Sequence, residues 1–463
     1  MYFEKFYLGC LAHASYVLGS EGEAVVVDPQ RDVDQYINAA DQHGLKIRHI
    51  FETHLHADFV SGHKELAART GAQIYIGAKA GATLAHVDVA DGFELKVGKC
   101  RISVLETPGH TPESICLLIT DPEKSTKPWA VLTGDTLFIG DVGRPDLSRT
   151  HTPEQLAGML YDSLHNKLMK LADEVIVYPA HGAGSLCGRN MRAESSSTIG
   201  TERLTNYALQ IRTRDEFIRQ LTSNLPARPE YFAQDAEINR EGAAALGELP
   251  ALAPITAIAL RAMLCEEVPA LDVRPPDEFA AGHVPGSINI GLSGQFASWA
   301  GSLLGLASCP VLIADTRARI DEARTRLARV GIEDLAGYLQ DGLGGWNEAG
   351  LPLATLPQIT VQTLNQLSHR DLHVLDVRRE GEWQAGHLLS AQLWPLDQFR
   401  QALPPLDKTA SVAVHCKSGY RSTIACSLLM RAGYTDVTNV IGGFDAWDAA
   451  KLPSVKAEVG SHA

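Results

Sequence analysis

The feature that most constrains this 463-residue chain is a duplication in its second half. "LDVRPPDEFAAGHVPGSINI" from Leu271 returns as "LDVRREGEWQAGHLLSAQLW" from Leu375. "PVLIADTRARIDEARTRLARVGIEDL" from Pro310 returns as "SVAVHCKSGYRSTIACSLLMRAGYTDV" from Ser411. "GLGGWNEAGLP" from Gly342 returns as "GGFDAWDAAKLP" from Gly442. A similarity of this length means one fold built twice. Each copy alternates short apolar strands with helical runs, so each is expected to be an α/β domain with a mostly parallel sheet covered on both faces. The length fits three domains of roughly 150 residues, and the expected boundaries are 1–245, 246–355 and 356–463. A Pro, Ala and Glu-rich stretch, Asn224 to Thr256, reads as the tail of the first domain and a linker.

Ahead of the duplication the pattern is different. "EAVVVD", "IRHIFET", "AQIYIG", "RISVLET", "SICLLIT", "WAVLTGD" and "EVIVYPA" read as strands, with "HKELAART" and "TPEQLAGMLYDSLHNKLMKLA" as helices. Histidines and aspartates collect in the loops after the strands, where an α/β architecture presents its chemistry.

In the second copy, strand "SVAVHC" runs into "CKSGYRS" and then a helix. Cys416 therefore sits at a strand end facing a helix N-terminus. Gly419 lets the loop of Lys417, Ser418, Gly419 and Tyr420 curl its amides toward an anion, and Arg421 closes it. Such a setting favours a thiolate nucleophile or a bound persulfide anion. "HCKSGYRS", with "LDVR", "EWQAGHL" and "GGFDAW" around it, resembles the rhodanese family. The resemblance covers the whole last domain. It implies that Cys416 is the catalytic cysteine, and the short loop looks like the sulfur-transfer version. The first copy departs here: "IADTRARI" puts Asp315 in place of the nucleophile and offers no glycine. A carboxylate would repel a persulfide, so this domain is read as the same fold without the chemistry.

In the first domain four segments stand out: "THLHAD", "TPGHTPES" with His110, "LTGDTLF" with Asp135, and "YPAHGAG" with His181. Each follows an apolar strand and sits in a Gly- or Pro-containing loop, and together they suggest a metal site. They resemble the metallo-β-lactamase superfamily, whose fold is two sheets sandwiched between helices. The resemblance implies an αββα sandwich. A second metal would need the residues matching Asp58, Phe59 and His181, and a phenyl ring cannot ligate. One metal is therefore expected. The branch of the superfamily that uses one iron is the persulfide dioxygenases, whose ligands match His54, His110 and Asp135. That is a facial set of two histidines and one carboxylate with open positions. His56, Asp58 and His181 would then stand near the metal without ligating it.

"GDVGRPD" also looks like that branch. Two readings of Arg144 stay open, a contact to substrate and a structural salt bridge. "HGAGSLCG" resembles relatives in which a dioxygenase is fused to two rhodanese-like domains. For Cys187, handling a persulfide near the metal and plain burial both stay open. Cys10, Cys100, Cys116, Cys265, Cys309 and Cys426 read as core.

The resemblances share a substrate class. They imply oxidation of a low-molecular-weight thiol persulfide by O2 at one Fe(II) per chain, giving sulfite and free thiol, with no organic cofactor. Sulfur transfer at Cys416 to sulfite would give thiosulfate. The rival is a two-zinc thioester hydrolase of the glyoxalase II type with accessory rhodanese domains. A formal charge of -14 argues against nucleic-acid or anionic-membrane partners. The start lacks the basic and apolar regions of a signal peptide, and no run approaches a membrane helix. Eight cysteines without a CxxC pair fit a reducing cytoplasm. A homo-oligomer is also expected.

Overall fold

The computed structural model describes residues 1–223, 225, 227–367 and 371–456; Asn224 and Pro226 of the expected linker lie outside them. The chain forms two compact units, one built on Met1–Leu249 and one on Pro250–Leu327 with the chain from Ile332.

The first unit holds two six-stranded sheets. One begins as an antiparallel meander of Tyr2–Leu8, His13–Ser20 and Glu23–Val27. It continues in parallel through Lys46–Glu52, Gln73–Gly77 and Val87–Val89. The other runs antiparallel through Glu94–Val97, Cys100–Glu106, Ile115–Thr120 and Ala130–Gly134. Ile176–Pro179 then joins it in parallel and Ser197–Thr198 closes the edge.

Three apolar layers make the sandwich. Tyr16, Val25, Val27 and Phe51 meet Ile102, Val104, Leu117 and Leu132 between the sheets. Outside the first sheet, Val26, Ile50 and Ile76 pack against Tyr36, Ala40 and Leu66, which lie on helices Asp34–Gln42 and His63–Thr70. Outside the second, Val131 and Val177 pack against Leu160, Leu164 and Phe217. The helix carrying Leu160, Pro153–Asn166, starts where Thr152 and Gln155 form a reciprocal cap and Pro153 presets the first turn. Each fully buried aliphatic side chain contributes roughly 1.5–3 kcal/mol. The αββα sandwich expected from the resemblance is what the first unit builds.

The second unit contains two five-stranded parallel sheets of one strand order. The first runs Pro254–Ile255, Gly337–Leu339, Val311–Ile313, Ala270–Asp272, Ile288–Asn289. The second runs Gln358–Ile359, Asp436–Val440, Ser411–His415, His373–Asp376, Ala391–Leu393.

The duplication reaches individual hydrogen bonds. Arg274 grips Asp272 and the Gly282 carbonyl as Arg378 grips Asp376 and the Gly386 carbonyl. Phe279 stacks on His283 at 3.8 Å, as Trp383 stacks on His387 at 3.7 Å. These buried ion pairs fix the turn after the central strand in both copies.

Two expectations need correction. Cys265 and Cys309 are exposed, and Cys10 is only half-buried. Cys265 ends helix Ala257–Cys265, and Cys309 lies in the turn before Val311–Ile313, so neither is inside a buried layer. The expected linker also contains a helix, Phe232–Glu241, that belongs to the first unit. No helix among the described residues is long and apolar enough to cross a membrane.

Candidate functional site

Strand Lys46–Glu52 is followed by Thr53, whose amide donates to Asp28 Oδ1 (2.7 Å) and whose hydroxyl donates to Asp28 Oδ2 (2.9 Å). That hydroxyl also lies 3.0 Å from His54 Nδ1. Its one proton is already given to Asp28, so His54 Nδ1 must be the donor, which leaves Nε2 with a free lone pair. His110 reaches the same state by another route. Its Nδ1 faces the carbonyl oxygen of Arg144 at 2.9 Å, and a carbonyl can only accept.

The two free Nε2 atoms converge on Asp135 Oδ2, His110 at 3.3 Å and His54 at 3.9 Å. All three residues are buried, and none of the three atoms has a hydrogen-bond partner. Three dry acceptors facing one point would each cost roughly 1–3 kcal/mol. Two neutral imidazoles and a carboxylate within 4.8 Å of one another suit one divalent cation. Burial, then neighbouring His56, holds His54 well below the usual imidazole range, and burial also lowers His110. Burial alone would raise Asp135, but His181 and His110 outweigh it and hold the carboxyl well below its usual range.

Sequence reading set His56, Asp58 and His181 beside this triad. His56 Nε2 faces Asp28 Oδ1 (3.2 Å) and Glu52 Oε2 (3.5 Å). His181 bridges two carboxylates, with Nδ1 at 2.8 Å from Asp135 Oδ1 and Nε2 at 2.9 Å from Asp58 Oδ2. Burial opposes its charge, but Asp135 and Asp58 prevail and hold it well above the usual range. Cys187 is buried, with its sulfur within 4.8 Å of ligand atoms of Asp58 and His181. Burial, then Asp58 and Asp135, pushes that thiol well above its usual range.

Phe59 is 1% exposed. Its ring lies 4.1 Å from that of His13 and 4.4 Å from that of His56, so an apolar wall stands beside His56.

Arg144 is engaged by its own chain. It is 4% exposed and makes a two-pronged pair with Asp146 at 2.6 and 2.8 Å. Its backbone N–H donates to the Cys187 carbonyl and its guanidinium to the Leu186 carbonyl, which ties the Cys187 loop down. The neighbouring Gly143 is required by space: a Cβ there would lie 2.1 Å from the Asp135 carbonyl and 2.8 Å from His110 Nδ1.

Sequence reasoning missed two residues. His13 is fully buried beside Phe59 with both ring nitrogens unpartnered. It comes from a strand with no motif around it. Asn239, on helix Phe232–Glu241, donates to the carbonyls of His56 and Phe59 and accepts from Ser61 N–H, each at 2.7 Å. A buried Asn in an otherwise helical run was the only available signal.

In the last domain Cys416 is 1% exposed and directly follows strand Ser411–His415. Gly419, at φ 106°, turns its N–H onto Cys416 Sγ at 3.1 Å. Ser422 Oγ lies 3.5 Å from the sulfur. Lys417 and Ser418 are exposed at the mouth. Arg421 pairs both its terminal nitrogens with Glu382 at 2.7 Å, so it braces the loop from outside. Tyr420, expected to touch substrate, instead donates its hydroxyl to the Gly291 carbonyl of the first copy (2.7 Å). In that copy the register places Ala314, not the expected Asp315, at the position of Cys416, since Val273 N–H bonds the Ile313 carbonyl as Val377 N–H bonds the His415 carbonyl. Arg319 bonds Glu278 at 3.4 Å, as Arg421 bonds Glu382, and also Asp315 at 2.9 Å.

Comparison with known proteins agrees with both geometries. Residues 8–181 match the metallo-beta-lactamase superfamily, and residues 256–349 and 360–450 each match the rhodanese-like domain. The chain belongs to the metallo-beta-lactamase superfamily, in a form that carries two rhodanese-like domains. Within it, the chain is 30% identical over 217 residues to the mitochondrial persulfide dioxygenase of Mus musculus, covering 46% of this chain and 77% of that one. It is 35% identical over 163 residues to a hydroxyacylglutathione hydrolase of Polaromonas sp., covering 35% of this chain and 57% of that one. A solved metallo-beta-lactamase structure from Staphylococcus aureus is 35% identical, with a TM-score of 0.66, covering 73% of this chain and 98% of the other.

Proposed function

We propose that the first unit is a dioxygenase for a low-molecular-weight thiol persulfide, using one Fe(II) held by His54, His110 and Asp135, and that Cys416 is a sulfurtransferase nucleophile. The observation that carries the reading is the set of three buried, unpartnered acceptor atoms beside an apolar Phe59. The overall balance is RSSH + O2 + H2O → RSH + SO3²⁻ + 2H⁺. A redox-active metal with two imidazoles and one carboxylate keeps open positions for a sulfur anion and O2.

The chain's own contribution is positional. Thr53 and the Arg144 carbonyl hold both imidazoles with Nε2 presented. Asp135 stays anionic, because His181 takes its outer oxygen. The dry walls strengthen each of these interactions.

At Cys416 the thiolate attacks the outer sulfur of a persulfide, and RS⁻ leaves. Sulfite then attacks the Cys416-bound outer sulfur, which releases thiosulfate, a proton and the thiolate. The Gly419 N–H, 3.1 Å from Cys416 Sγ, supports this reading because it would stabilise the thiolate.

The second reading is a two-metal thioester hydrolase, favoured by the nearness of Asp58 and His181 and by the likeness to hydroxyacylglutathione hydrolase. Anaerobic metal analysis with oxygen-uptake measurements separates them. The dioxygenase reading requires one iron per chain and O2 consumption with a thiol persulfide. Two bound zinc ions and thioester cleavage without oxygen uptake would replace it with the hydrolase.

A further inference from the structure

Helix Tyr420–Arg431 begins at the mouth of the Cys416 loop and lays one face on the first copy. Tyr420, Ser427 and Arg431 stand at i, i+7 and i+11, a single stripe of the helix. Tyr420 donates to the Gly291 carbonyl at 2.7 Å. Ser427 Oγ accepts the Asn289 N–H at 3.0 Å. Arg431 donates to the carbonyls of Gly286 at 2.8 Å and Glu267 at 2.9 Å. Each of these four hydrogen bonds ends on a backbone group of the first copy, so they depend on the path of its chain rather than on a nucleophile there.

The Tyr420 contact is the one closest to the chemistry. Its ring occupies the space over Gly294, where an added Cβ would come within 2.5 Å of Cζ and 2.6 Å of Cε1. The segment that forms the seat is itself braced. Arg326, 8% exposed, donates to the carbonyls of Leu292 (2.5 Å) and Gly294 (3.0 Å) and lies over the Phe296 ring. Tyr420 directly follows Gly419, whose N–H is 3.1 Å from Cys416 Sγ. Moving Tyr420 therefore moves an amide that bonds the sulfur. The matching position in the first copy is Ala318, while Arg319 matches Arg421 and bonds Glu278 as Arg421 bonds Glu382.

We infer that the first copy serves as the positioning half of the Cys416 site, with Gly291 and Gly294 forming a seat that fixes Tyr420 and through it the Gly419 amide. The inference rests on the reading of Cys416 as the sulfur nucleophile and makes Tyr420 a positioning residue rather than a substrate contact. A tyrosine that only glued two domains together would affect melting and leave the thiol's reactivity alone.

The test uses the full chain. Tyr420→Phe removes one hydroxyl and keeps the ring, so the fold is retained, as a thermal melt checks. Iodoacetamide alkylation of Cys416, followed by peptide mass spectrometry, should slow about five- to tenfold. Sulfur transfer from thiol persulfide to sulfite should lose kcat by a similar factor with KM for the persulfide unchanged. Gly294→Ala should slow alkylation comparably, and its effect should shrink to within about twofold in a Tyr420→Ala background, since the clash is then gone. Wild-type alkylation by Tyr420→Phe, or an undiminished Gly294→Ala effect without the tyrosine ring, would overturn the seat. Alkylation needs no persulfide. A parent enzyme without sulfur transfer would therefore refute the proposed activity of Cys416, while the alkylation series would still decide the seat.

Discussion

At the scale of the residue, the proposed metal centre would depend on groups outside its ligand set. Thr53 is the clearest case, because its hydroxyl bonds Asp28 on one side and His54 Nδ1 on the other. Valine has nearly the same shape and neither bond. Thr53→Val should leave the fold intact and free the His54 ring to rotate or change tautomer. Loss of a partner behind a metal-bound histidine typically costs 10–100-fold in metal affinity. Chelator competition under anaerobic conditions would measure it, and unchanged affinity would remove Thr53 from the account. The sequence displayed the residues themselves, since the alternation of His54, His56 and Asp58 ahead of Phe59 is a visible pattern. It did not display which nitrogen each ring presents. That is decided by Asp28 and by the Arg144 carbonyl, 26 and 34 positions away from the histidines they orient. His13 was illegible for a related reason: its burial comes from pairing across sheets, and one histidine in an apolar strand carries no spacing.

At the scale of the element, strands and their terminal loops were readable because period-two apolar runs end abruptly at Gly, Pro or His. "HKELAART" is helical over His63–Thr70 as expected. The tail after Gln220 was read mainly from its composition, and there the reading was incomplete. Helix Phe232–Glu241 is short and Ala/Glu-rich, and its role lies in one side chain. Asn239 holds the carbonyls of His56 and Phe59 and the amide of Ser61, so a helix far along the chain shapes the metal loop. Asn239→Ala would strand three buried backbone groups, at a cost of roughly 2–4 kcal/mol after relaxation. The first unit should then melt about 5–15 °C lower. Asn239→Asp supplies the discriminating comparison. It keeps an acceptor for Ser61 but turns carboxylate oxygens on two carbonyls, so it should be no better than alanine. An aspartate variant as stable as the parent would show that the clamp is unimportant.

At the scale of the whole molecule, the duplication separates what a fold needs from what a reaction needs. Asp272–Arg274 and Asp376–Arg378 are kept in both copies with the same bonds, since each locks a turn that the sheet requires. Cys416 and Gly419 are present in one copy, and in the other Ala314 and Arg317 hold those positions, with Asp315 paired to Arg319. On the proposed function, the two centres would need no shared transition state, only a shared metabolite: sulfite made at the metal would diffuse and accept sulfur at Cys416. Cys416→Ser keeps nearly the same volume and the hydrogen bond from Gly419, so the last domain should fold. Oxygen uptake with a thiol persulfide should persist within about twofold, because no ligand of the metal triad has changed. Thiosulfate should fall by at least about a hundredfold, since serine is a far weaker nucleophile at neutral pH, and sulfite should accumulate in its place. Ion chromatography of both anions during one oxygen-electrode run gives the balance. If Cys416→Ser abolished oxygen uptake as well, sulfur would have to pass through Cys416 before oxidation, and the order of the two reactions proposed for this chain would be reversed.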